Sequence, residues 1–168
     1  MDAEVAELSQ LDRAALQSLL PLTNHASRGD HRDGRPDKSG SGFRRVLEDH
    51  LRGYPHPGRH WAVVLREQGL PVAWCLVSEL ASDPDTGEAL GQPTCSVGVY
   101  VAPAHRRRGL GTRLLQEAQG LARKIGSRQL MASPWNAPSK SFYQQRGFAE
   151  VRPYFTGWCA GAAVLPVL

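Results

Sequence analysis

The stretch from Val97 to Thr112, Val-Gly-Val-Tyr-Val-Ala-Pro-Ala-His-Arg-Arg-Arg-Gly-Leu-Gly-Thr, constrains the fold of this chain more than any other. An apolar, β-branched run gives way to a basic turn with two glycines, then to a run patterned as helix. That order predicts a strand, a tight corner and a helix. Gly109 and Gly111 allow backbone angles and a closeness of approach that a side chain would block. The first turn of a helix carries N–H groups with no intrahelical partner, and with the helix dipole these favour an anion. Arg106, Arg107 and Arg108 bring positive forks that suit phosphate to the same place. The corner therefore predicts a seat for a pyrophosphate. A plain structural corner with solvated arginines is the competing reading.

Two common phosphate motifs do not fit. The dinucleotide fingerprint needs a third glycine that this corner lacks, and the Walker loop needs a lysine and a hydroxyl after its last glycine. A chain of 168 residues bounds the answer to one domain, residues 1–168. Its hydrophobic fraction of 41% supports a buried core, yet no run approaches the roughly 18 apolar residues of a membrane span. Met1-Asp2-Ala3-Glu4 begins acidic, without the basic start and apolar stretch of a secretory leader, so a cytoplasmic location is expected. The net charge of +4 is modest and no second basic stripe carries interleaved aromatics, which argues against nucleic acid. Cys75, Cys95 and Cys159 lie far apart with no CxxC pair, so no metal site is expected. Cys75 and Cys95 fall in apolar strand patterns and read as buried thiols.

Along the chain, Val5–Leu8 reads as a short strand and Leu11–Leu20 as a helix that Pro21 stops or kinks. The polar stretch from Asn24 to Gly42 reads as a loop, and Phe43, Val46, Leu47 and Leu51 as one helical face ended by Gly53. Trp61–Leu65 and Val72–Leu80 form an antiparallel hairpin about Gly69, and Thr94–Val101 is a third long strand. Gly111–Ile125 is the best-patterned helix, with Leu114, Ala118, Leu121 and Ile125 near the 3.6-residue period. Gln129–Ala132 is a strand expected to lie parallel to Val97–Val101. Ser139–Arg146 is a short helix, followed by strands at Phe148–Val151 and Tyr154–Trp158. The apolar tail Ala162–Leu168 is placed at a sheet edge or in a dimer contact. The outline is a mixed sheet with helices on both faces.

Arg106-Arg107-Arg108-Gly109-Leu110-Gly111 resembles the R/Q-x-x-G-x-G/A signature of the GNAT superfamily of N-acetyltransferases. Val99, Val101 and Pro103 look like the strand end that precedes it there. Asn136, Tyr143 and Gly147-Phe148 resemble the later N…(F/Y)Y…GF segment, and the order of elements is similar from about Val5 to Trp158. The resemblance implies an α/β fold of mixed α+β character: a central mixed, mostly antiparallel twisted sheet, helices on both faces, and a splayed parallel strand pair. It implies acetyl-coenzyme A as cofactor. The backbone N–H groups of Arg106, Arg107, Arg108, Gly109, Leu110, Gly111 and Thr112 would hold the pyrophosphate. Val99 and Val101 would pair through their backbones with the pantetheine arm, and Asn136 would bond it from the other side.

Acyl transfer from a thioester to an amine needs a neutral amine, a donor to the carbonyl oxygen, and a proton or hydrogen bond for the departing thiolate. The resemblance puts the Tyr143 hydroxyl near the sulfur, where a phenol of ordinary pKa near 10 is protonated and donates. It assigns the Val99 N–H to the carbonyl. For the base, Glu79 at the end of an apolar strand is the first candidate, with His56 and His60 behind it. Cys75 and Cys95 lack a nearby histidine pattern, so direct transfer is expected over an acyl-enzyme. Asp30, Asp33 and Asp37 alternate with Arg28, Arg32, Arg35 and Lys38, so no acidic trough marks a polycationic acceptor. A small amine or amino-acid-like metabolite is the expected acceptor. A protein N-terminus or lysine, or a non-catalytic acyl-coenzyme A binding module, remains an alternative, and a homodimer is reasonable.

Overall fold

The computed structural model describes residues 1–27, 40–54, 58–83, 86–134, 137–152 and 162–167. In chain order the elements are β1 (Ala3–Glu7), α1 (Arg13–Ser27), α2 (Gly40–Leu51), β2 (His60–Glu67), β3 (Leu70–Ser82), β4 (Ala89–Val101), α3 (Leu110–Lys124), β5 (Gln129–Ala132), α4 (Ala137–Gln145), β6 (Ala149–Arg152) and β7 (Ala162–Pro166). Among the described residues the strands make one sheet in the order β1-β2-β3-β4-β5-β7-β6. Every neighbouring pair is antiparallel except β4–β5. This is the mixed, mostly antiparallel sheet that the resemblance implied.

The centre of the sheet is apolar on both faces, which is why β2 and β3 read as nearly continuous hydrophobic runs. One face carries Val63, Leu65, Ala73, Cys75, Val77, Cys95 and Val97, packed on Leu110, Leu114, Leu115, Ala118 and Ala122 of α3, with Tyr143 of α4 and Phe148. The opposite face carries Ala62, Val64, Trp74, Leu76 and Tyr100, packed on Leu16, Leu19 and Leu22 of α1 and Leu47 of α2. A leucine removed from water as fully as Leu114 stabilises the fold by roughly 1.5–3 kcal/mol. Two different helical layers therefore hold the two faces.

That seam is short. Thr94, Cys95 and Ser96 pair with Gln129, Leu130 and Met131, while Ala132 continues in register only with Ala163 of β7. From Val97 onward, among the described residues, β4 is in register with β3 alone. The parallel partner of β5 is thus Thr94–Ser96 rather than the expected Val97–Val101, and the two strands part after Ser96. The result is the splayed pair, a fork with β4 on one arm.

Three expectations change. Pro21 does not end the first helix, which runs on to Ser27. A proline removes one helical N–H and crowds the preceding turn, but Leu16, Leu19 and Leu22 are buried on either side of it, and that packing carries the helix through. The stretch 24–42 is not all loop, because α1 and α2 enter it from either side. The tail strand β7 is not an edge. It lies between β5 and β6, where its Ala162 and Ala163 are buried. The expected strand Tyr154–Trp158 falls outside the described residues. Among the described residues no helix is long and apolar enough to cross a membrane, and no cluster of His, Cys, Asp or Glu is arranged to hold a metal ion.

Candidate active site

The corner after β4 is a single 3-10 turn, Pro103–His105, followed by two left-handed residues, Arg107 at φ +60° and Gly109 at φ +77°. Glycine takes the second of these without a Cβ clash. Gly109 is the N-cap of α3 and offers no side-chain cap, and no acidic residue lies in the first turn. The N–H groups that an Asp or Ser cap would have filled are left facing outward. Gly111 is required for a different reason from the one expected. A Cβ there would lie 3.0 and 3.1 Å from two carbons of the Phe142 ring and 3.8 Å from Val99 Cγ1, so this glycine lets α4 pack on the start of α3.

The basic run is already organised by the protein. Arg106 Nε donates to the Val101 carbonyl at 3.2 Å. Glu67, at the end of β2, accepts from Arg108 at 3.1 Å and sits 2.8 Å from His105 Nε2. The hydrogen bonds from Arg108 and then His105 hold the Glu67 carboxyl below the usual range. Glu67 was not picked out by sequence reasoning; it is distant in sequence, and only the β2–β3 hairpin brings it to the corner. Among the described residues Arg107 has no side-chain partner.

At the fork, the Ala102 N–H donates to Val72 O at 2.9 Å. Hydrogen-bonding direction alternates along an antiparallel strand, so Tyr100 and Gly98 also face β3, and the backbones of Val99 and Val101 face the fork. They meet side chains there: Arg106 on the Val101 carbonyl, and the Tyr143 phenol oxygen, which accepts from the Val99 N–H. Tyr143 is 7% exposed, and burial pushes its phenol well above the usual range, keeping it protonated. Phe142 and Phe148 meet its ring edge-to-face, each at 5.1 Å between centroids. Arg146, also unforeseen, stacks its guanidinium carbon 3.9 Å from the Phe142 centroid and donates to Thr112 Oγ1 and Phe142 O, both at 2.9 Å. It ties the end of α4 to the start of α3. The structure thus brings Val99, Val101, Arg106, Gly111, Thr112 and Tyr143 together. Asn136 and His56 lie outside the described residues.

Glu79 is placed elsewhere. It follows Val77 on the α3 side of β3, beyond the end of the core, and Arg59 grips it twice, Nε to Oε1 at 2.7 Å and the second fork nitrogen to Oε2 at 3.1 Å. The Arg59 hydrogen bond is the main reason its carboxyl lies below the usual range, which weakens it as a proton acceptor. Burial raises the Cys75 and Cys95 thiols, so neither is primed as a nucleophile. His60 lies on the opposite face, 6% exposed, with Nδ1 2.7 Å from Ser78 Oγ.

Residues 24–148 match the family model described as the Acetyltransferase (GNAT) family. YwnH of Bacillus subtilis (strain 168), provisionally named a phosphinothricin acetyltransferase, is 35% identical over 86 residues, half of this chain and half of YwnH. A GNAT-family acetyltransferase, so assigned provisionally, from Desulfovibrio desulfuricans superposes with a TM-score of 0.66 at 20% identity, covering 99% of this chain and all of its own. YncA from Salmonella typhimurium, solved with its cofactor acetyl-CoA, superposes at 0.62 with 21% identity over 100% of this chain and 95% of its own. With its fork, its uncapped helix start and a family match over most of its length, the chain belongs to the Acetyltransferase (GNAT) family.

Proposed function

We propose that this chain transfers an acetyl group from acetyl-coenzyme A to the primary amine of a small metabolite or amino-acid-like compound, by direct attack. When bound, the cofactor supplies an activated acetyl thioester. The residues present fit it. The start of α3 has no side-chain cap and no acidic neighbour, and the basic run supplies forks for a diphosphate. In this reading Arg106, Arg107, Arg108 and the N–H groups from Gly109 to Thr112 hold the diphosphate. The backbones of Val99 and Val101 hold the arm, with Asn136 on its other side. Arg106 leaves the Val101 carbonyl as it turns to phosphate, which frees that carbonyl for the arm.

Tyr143 is assigned to the departing sulfur. Its oxygen accepts from the Val99 N–H, so its own O–H is left to donate, and its raised pKa keeps that proton in place at neutral pH. Glu79, the first candidate for the base, stays a carboxylate tied to Arg59 on the α3 side of the sheet, which argues against it in that role. The buried, high-pKa thiols support attack without an acyl-cysteine. The observation that carries the reading is the meeting of three features: an uncapped helix start, a strand edge with no strand partner among the described residues, and a buried phenol bonded to that edge. The name of YwnH, which specifies phosphinothricin, an amino-acid analogue, favours an acceptor of that class.

The test is Tyr143→Phe, followed by thiol release with a panel of amines and by calorimetric binding of acetyl-coenzyme A. Turnover should fall by roughly 10²-fold, the usual worth of a positioned acid, with cofactor affinity kept. Unchanged turnover across the pH range removes the assigned role.

A further inference from the structure

His60, Ser78 and Ser96 form a row across three strands. His60 of β2 is in register with Ser78 of β3, and Ser78 with Ser96 of β4. Side chains alternate along a strand, so all three lie on the face of Ala62, Trp74, Leu76 and Tyr100, beneath α1 and α2. Ser96 is also the last residue of β4 in register with β5, so the row runs from β2 to the fork. Gly98, next on that face of β4, carries no side chain.

The row is polar where its neighbours are apolar. His60 is 6% and Ser78 5% exposed, and the His60 Nδ1 to Ser78 Oγ distance is 2.7 Å. Burying such groups is costly unless they are paired, and an apolar pair would have served packing alone. The opposite face of the fork is covered by α3 and by Tyr143 of α4. α1 and α2 cover the His60 and Ser78 end of the row, whereas Ser96, at the fork, is only half-buried, so an acceptor amine that meets a thioester held at the fork reaches the row at Ser96. Glu79 lies on the other face, tied to Arg59.

We propose that Ser96, Ser78 and His60 form a proton-accepting row for the acceptor amine, with His60 as its terminus; this rests on the acetyl-transfer reading above. One proton leaves the ammonium for Ser96 Oγ as the Ser96 hydroxyl proton passes, through a bridging water, to Ser78, and that of Ser78 crosses the 2.7 Å contact to His60 Nδ1. Both serines end unchanged, His60 ends as imidazolium, and after the product leaves the proton returns along the same row to water at Ser96. The ring must begin as the tautomer protonated at Nε2. Ser96 is the member that touches the amine, and Ser78 and His60 act through it. Among the described residues the titratable and charged groups around His60 are His50 of α2, whose ring meets it edge-on at 5.6 Å, and, on the other face of the sheet, the Arg59–Glu79 pair within electrostatic reach.

The experiment compares wild type with His60→Gln, Ser78→Ala and Ser96→Ala, using kcat against pH, acetyl-coenzyme A affinity, and nitrogen NMR of the His60 ring. At neutral pH His60→Gln should lose about 10²-fold in kcat, with the serine variants between it and wild type and cofactor affinity unchanged in all. The loss should shrink as pH rises and vanish for a weakly basic amine that is already neutral. Both serine variants should move the Nδ1 resonance, a readout that needs no turnover and that does not depend on His60→Gln folding. A loss equal at every pH and for every amine, or no loss, overturns the row. An active wild type whose ring ignores Ser96→Ala overturns the row alone. A wild type that acetylates no amine overturns the transferase reading and the row with it.

Discussion

Gly111→Ala tests whether the start of α3 is shaped by the packing of α4. The added Cβ would stand 3.0 and 3.1 Å from the Phe142 ring. Ordinary carbon contacts are about 3.5–4.0 Å, so the ring must retreat by roughly half an ångström or more. It is not free to do so, because Tyr143 meets it edge-on at 5.1 Å and Arg146 stacks on it at 3.9 Å. Overpacking of this kind costs about 1–3 kcal/mol. Alanine returns up to about 1 kcal/mol through helix propensity. The net expectation is a loss of up to about 2 kcal/mol, or up to roughly 8 °C in Tm for a chain of this size. The assay is a double-mutant cycle by thermal or denaturant unfolding. In a Phe142→Leu background the same alanine should be neutral or stabilising, a coupling of at least about 1 kcal/mol. Gly109→Ala is the contrast. Nothing lies within 4 Å of its Cβ, so its cost is the left-handed backbone alone, about 1–2 kcal/mol, and should be indifferent to Phe142. Additive energies for Gly111→Ala and Phe142→Leu would refute the reasoning.

Three further outcomes follow from the site. Glu67→Gln removes the carboxylate that holds His105 and Arg108, and should weaken acetyl-coenzyme A binding several-fold while leaving acceptor KM near its wild-type value; the opposite split in steady-state kinetics would place Glu67 elsewhere in function. Cys75 should resist thiol reagents in the folded protein, and Cys75→Ala should retain acetyl transfer, since burial raises the thiol and its nearest acceptor is the Leu114 carbonyl at 3.8 Å; loss of transfer with retained cofactor binding would revive an acyl-enzyme. Glu67 and Glu79 both have folded pKa values below their unfolded ones, so the stability each contributes is present above the ordinary carboxylate range, near 4.3, and is lost as pH falls through the folded value. Both pairs are solvent-exposed, so the effect is small; unfolding midpoints for Glu67→Gln and Glu79→Gln should converge on wild type at acid pH.

Much of the site is local, and local features are legible in a sequence. The corner from Val97 to Thr112 carries its own instructions: β-branched residues for the strand, glycine where the φ angle is positive, and a helical period after it. Gly147, at φ +92°, ends the helix that carries Tyr143, whereas Tyr143 and Phe148 themselves are marked by the family resemblance. Burial of the core strands also follows from composition, because runs such as Val72–Val77 have no polar face to expose. The tail Ala162–Leu168 reads as apolar from sequence, but whether it is an edge or an interior strand depends on the partners that reach it.

What tertiary structure alone decided is which groups are spent on one another. Glu79 looked available as a base until the sheet end set Arg59 against it. Glu67 carries no motif, and only a hairpin brings it to the basic turn. Pro21 is a stop signal by itself, and buried leucines on either side outweigh it. His60, Ser78 and Ser96 share no motif; they become one row only through strand register, which depends on pairing across many residues. Propensity and periodicity are properties of a short stretch of chain, whereas a pKa, a register or a close contact is a property of whatever folding brings alongside.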